Sequence, residues 1–100
     1  MRGTLDHVNE MIDAGFNGLG LPAYMKDGVR LYVFEGLRPG GFMSALLENN
    51  LSESYCRADE NNIRCIENWV KFLRWNIPGG CWGSREVVSE WKGLNNMDVK

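Results

Sequence analysis

The sequence predicts an all-α protein, a compact bundle of four to five short helices joined by glycine-rich turns. Three observations carry this prediction. Apolar residues recur at helical spacing through 42–55 and again through 63–77. Proline and glycine punctuate the chain between such stretches, at Pro39-Gly40-Gly41 and Pro78-Gly79-Gly80. The one stretch rich in β-branched and aromatic residues, VRLYVF from Val29, has no second strand with which to pair.

Taken in order, 1–20 reads as a short helix and a glycine-rich lead-in. Thr4 is placed to cap the helix, Leu5, Val8, Met11 and Ile12 share one face, and Gly15 is the expected stop. The connector FNGLGLP follows. It is no dinucleotide fingerprint, because no strand precedes it and no G-x-G-x-x-G is present.

The stretch 21–36 admits two readings. Asp27-Gly28 ahead of VRLYVF suits a turn and a strand. Pro22 suits a first helical position; Leu21, Tyr24, Met25, Gly28, Leu31, Tyr32 and Glu35 follow a helical stripe, and Gly36 suits a stop. A lone strand would leave its backbone groups unsatisfied, so a helix is expected.

After the turn LRPGG, the residues Phe42, Met43, Leu46, Leu47, Leu51 and Tyr55 predict one long helix. Asp59 is placed to cap a second long helix with the stripe Ile63, Ile66, Trp69, Val70, Leu73 and Ile77. Ser84 then caps a short helix whose edge is Val87, Val88 and Trp91, with Gly93 as its stop. On this reading 21–93 is the core domain and 94–100 a flexible tail.

With 44% hydrophobic and 24% charged residues over 100 positions, the chain is an ordinary single globular domain. A net charge of -2 recruits neither nucleic acid nor an anionic membrane by its overall field. The three cysteines, Cys56, Cys65 and Cys81, are an odd count without a close pair, and His7 is the single histidine. That spacing suits three reduced thiols in or near a helical core, and no metal site or cofactor is expected. Reduced thiols, with no apolar run of membrane-spanning length and no signal pattern, imply a cytoplasmic chain.

The residues admit four kinds of site. Arg57, Arg64, Lys71 and Arg74, with Asn68 and Trp75 nearby, offer cations and an aromatic for nucleic acid. The same residues suit a solvated face, with Glu60–Arg64 and Glu67–Lys71 paired one turn apart, and that reading is favoured. Arg38 and Trp82 sit in the glycine-bearing turns RPGG and CWGS, where binding residues concentrate. Trp82 is the more expected as a plug under the last helix, given the area a tryptophan buries. No catalytic residues are expected, since the carboxylates show no paired spacing and a cysteine nucleophile would have only His7 as its base. Four Trp, three Tyr, four Phe and five Met exceed what one small core needs, which leaves an aromatic patch for a partner or for homo-oligomer formation.

The order PGGFMSALLENNL (39–51), RADENN (57–62) and PGGCWGS (78–84) resembles small proteins encoded by bacteriophages and prophages. Those carry P-G-x-F-L-x-A-V-L-x-N-D-L, then R-A-D-x-x-N, then W-G-S-P-E before a last helix. The likeness runs from about Leu21 to Trp91 and departs at Asn50, where the group often has Asp, and at Arg85, where it often has Pro.

The resemblance implies an α-helical fold and a phage accessory protein in the bacterial host cytoplasm. Such a protein is non-enzymatic and binds a host or phage protein, with anti-defence, anti-CRISPR-like inhibition as one form. Arg38, Trp82, Arg85 and Trp75 are the expected partner or ligand residues. The alternatives are a nucleic-acid module using Arg57, Arg64, Lys71 and Arg74, and an oligomer that sequesters a small anionic nucleotide.

Overall fold

The computed structural model describes residues 2–97, with side chains from Leu5 onward. All regular secondary structure among the described residues is helical, with no strand. Seven α-helices follow in order: α1 Arg2–Leu19, α2 Lys26–Glu35, α3 Gly41–Leu47, α4 Leu51–Arg57, α5 Glu60–Arg64, α6 Ile66–Asn76 and α7 Arg85–Glu90. Single 3-10 turns lie at Ala23–Met25, Gly79–Cys81 and Leu94–Asn96. The number exceeds the four to five expected because both long stripes are broken in the middle.

The first break is made by Asn49. It takes a left-handed conformation, φ 64, in which its own N–H bonds the Leu46 carbonyl and the Asn50 N–H bonds the Ala45 carbonyl. These two bonds close the end of α3 as a Schellman turn. Asn50 then starts α4, its side chain accepting the Glu53 N–H. The break turns the expected stripe aside, so Leu51 and Tyr55 face solvent while Ser54 is buried.

The second break falls at Cys65, between α5 and α6. Asp59 caps α5 as expected, accepting the Asn62 N–H at 2.8 Å. Asn62 is buried, and its side-chain oxygen receives the Trp69 indole N–H. A buried amide at this point takes the place an apolar residue would hold in a continuous stripe.

Expectations at the two ends are also corrected. The helix begins before Thr4, which therefore lies inside α1, and it continues through Gly15 to end before Gly20, which has φ 65. Gly15 faces α6: a Cβ there would stand 2.5 Å from the Phe72 ring. Its role is close helix approach rather than termination. Ile12 and Phe16 are buried in the main core, so 1–20 supplies core residues instead of leading into them. The helix expected over 21–36 begins with a 3-10 turn, and its buried face is Val29, Tyr32 and Val33, leaving Leu31 exposed. Gly36 is the left-handed stop as expected, at φ 73.

Within the stretch expected as a flexible tail, Leu94–Asn96 docks on α2. Leu94 packs against the core, and Asn96 donates to the Glu35 carbonyl at 3.3 Å. Gly93 permits this approach, because a Cβ there would lie 2.5 Å from the backbone of Glu35 and Gly36. Residues 98–100 of that stretch lie outside the described residues.

The core is an aromatic cluster around Trp69. Phe16, Phe42 and Phe72 meet its ring edge-on, with centroids 5.6, 6.0 and 5.7 Å away. Such T-shaped pairs set the electropositive edge of one ring against the face of another. Asn68 and Asn76 lash α6 to α1 by donating to the Leu19 and Met11 carbonyls. This fixes α6 with one long side inward and the other open to solvent.

Candidate functional site

The open side of α6 and the start of α4 form a cleft of about 200 Å³. Leu46 and Leu73 belong to the buried core beneath it, and Leu51, Val70, Trp82 and Arg74 line it further out. Helix α4 brings Leu51 here because the Asn49–Asn50 break re-aims it. The loop after α6 brings Trp82, held by the Gly83 N–H bonding the Leu47 carbonyl at 2.8 Å. Trp82 is half-buried and packs against the core, so it is part plug and part cleft wall. Leu51 is 61% exposed and Val70 41%, a large apolar area to leave in water.

Arg74 is the charged residue lining this cleft, and it has no carboxylate within 4.0 Å among the described residues. The other members of the basic set are paired on their own helices. Arg57 bonds Glu53 at 2.8 Å, Arg64 lies 3.9 Å from Glu60, and Lys71 lies 3.4 Å from Glu67. The expected solvated pairing of Glu60–Arg64 and Glu67–Lys71 is thus present. The Arg57 guanidinium is held charged more firmly than usual by its bond to Glu53.

The remaining site residues fall elsewhere. Arg57 and Arg85 line a second groove with Glu48, Glu53, Ser44 and Asn50, and Arg38 reaches Glu48 at 3.2 Å. Cations and carboxylates are interleaved there, so the groove offers no concentrated positive field. Trp75 is 71% exposed and lines a third, mostly apolar groove with His7, Met11 and Pro78. Arg85, Trp82 and Trp75 thus line three different grooves.

The thiols occupy three different settings. Cys56 is exposed, contrary to its expected place in or near the core, because α4 turns its outer side to solvent. Cys65 is half-buried, and burial raises its thiol above the ordinary value. Cys81 is fully enclosed, and burial pushes it up to about 12. Among the described residues no three His, Cys, Asp or Glu side chains gather as metal ligands.

Sequence reasoning missed Leu51 and Val70 as cleft residues, assigning both to the buried stripe. The pair Asn49-Asn50 was the available signal, since Asn adopts the left-handed conformation more readily than other residues with a side chain. No helix among the described residues is long and apolar enough to cross a membrane. No known family model matches this chain, and neither a curated protein nor a solved structure matches it.

Proposed function

We propose that this chain is a non-enzymatic binding protein of the phage accessory kind, which takes a host or phage protein as its partner. The observation that carries the reading is the α4–α6 cleft, where Leu51, Val70 and Trp82 stand open beside an unpaired Arg74. Burial of apolar area supplies most association energy, and Trp and Arg dominate the residues on which interfaces depend. A matching partner surface presents an apolar side chain to the cleft and a carboxylate to Arg74. Inhibition of a host defence factor is the role that accords with the phage-type sequence pattern.

The test is capture from bacterial host lysate with the immobilised chain, compared with Leu51→Asp. Position 51 opens α4, where an acidic residue favours the helix, so this variant keeps its fold. A protein retained in stoichiometric amount by the original chain and lost with Leu51→Asp is the expected result. Equal retention by both, or no specific protein with either, would sink the proposal.

A further inference from the structure

The outward side of α6 carries a pattern that the cleft alone does not use. Glu67 and Arg74 lie seven residues apart, two helical turns or roughly 10.5 Å along the axis, and so share one stripe. Val70 flanks the stripe on the cleft side and Lys71 on the other. The Glu67 side chain is 82% exposed, and its carboxylate has accepting positions beyond the 3.4 Å contact with Lys71. One end of the stripe is therefore acidic, the other basic, and the middle apolar on one flank.

Such a stripe is complementary to itself reversed. We propose that a second copy of this chain covers it, the two α6 helices packing antiparallel about a two-fold axis so that Glu67 of each copy meets Arg74 of the other. A two-fold perpendicular to both helices keeps each flank on its own side. Val70 then meets Val70, with Leu51 and Trp82 of both copies beside them, and Lys71 stays on the wetter flank beside Glu67. The unpaired guanidinium of Arg74 gains a carboxylate, and the exposed apolar flank is covered.

A single pair of α6 helices with Leu51 of α4 and one loop residue covers less than the ~800 Å² per partner of a standard stable interface. The dimer is accordingly weak, and a partner protein seated in the cleft displaces it. This inference goes beyond the binding reading and fails separately from it, because its test uses the purified chain alone.

The experiment is sedimentation velocity from ~10 μM to ~1 mM, a range suited to weak association, on the original chain, Glu67→Arg, Arg74→Glu and the double variant. A monomer–dimer equilibrium is expected for the original chain. Each single variant should weaken it several-fold, since like charges then face each other, and the double variant should restore it. Both substitutions are on the solvent side of α6, and circular dichroism checks that the helices persist. A monomer throughout the range would overturn the proposal. So would a dimer that the single variants leave unchanged, or one that the double variant does not recover.

Discussion

The buried indole N–H of Trp69 donates to the side-chain oxygen of buried Asn62 at 3.0 Å, across the break between α5 and α6. This bond satisfies the one polar atom of a ring that three phenylalanines surround. Asn62→Leu would leave the N–H without its acceptor in an apolar site, at a cost of about 1–3 kcal/mol. Urea unfolding followed by tryptophan fluorescence measures it. A loss near zero would mean that the amide is not the partner that matters.

Two glycines of α1 give opposite expectations. Gly15→Ala drives a methyl against the Phe72 ring and to 2.9 Å from Asn76, whose amide holds the Met11 carbonyl. Phe72 is fully buried and has little room to yield, so a loss of about 1–3 kcal/mol is expected. Gly18→Ala meets nothing within 4 Å and should stabilise by up to about 1 kcal/mol. Thermal melts of the two variants should move in opposite directions.

Alkaline conditions should weaken the fold through Cys81 and Tyr32. Burial raises both groups above their ordinary values, Cys81 to about 12, and the Tyr32 hydroxyl also donates to the Cys81 carbonyl at 2.6 Å. An unfolded chain ionises them first, so their contribution is complete below about pH 9 and is lost as pH rises through the folded values. Unfolding midpoints between pH 8 and 11 test this. Cys81→Ala should flatten the decline, and an equally steep decline in that variant would exclude the thiol.

Acid should act through Asp59. The Tyr24 hydroxyl and then the Asn62 N–H bond its carboxylate and hold it below the ordinary range. Its stabilising effect is present above about pH 3.8 and lost as pH falls through the depressed value. Asp59→Asn keeps an acceptor for the cap but should reduce the acid slope. An unchanged slope below pH 4 would assign acid sensitivity to other carboxylates, of which Asp13, lowered by Lys26, is one.

Local chemistry was the part of the fold most legible in the chain. Asp59 and Ser84 cap helices as their side chains suggest, and Gly36 stops α2. These depend on atoms within a few residues, so the sequence alone specifies them. Gly15 and Gly93 were less legible, because in a sequence a glycine for close packing looks the same as one for a turn. Only Phe72 and the backbone of Glu35 and Gly36, remote in the chain, reveal their purpose.

The candidate site divides in the same way. The types present in the cleft, Trp82 and Arg74, stand out as residues suited to recognition. Their company does not: Leu51 and Val70 fit an apolar stripe whose inner or outer placement depends on where the helix is interrupted. Asn49 and Cys65 mark the interruptions, and a short helix on either side of each can rotate independently.

By itself, then, the sequence determined the helical class, the caps at Asp59 and Ser84 and the glycine stop at Gly36, because these follow from backbone conformation and short-range hydrogen bonds. Tertiary structure decided which side of each helix is inward, the burial of Asn62 beside Trp69, and the placing of Trp82 and Arg85 in different grooves. Those outcomes depend on filling one core from segments far apart in the chain, and a periodic pattern constrains the spacing of a face without fixing its direction.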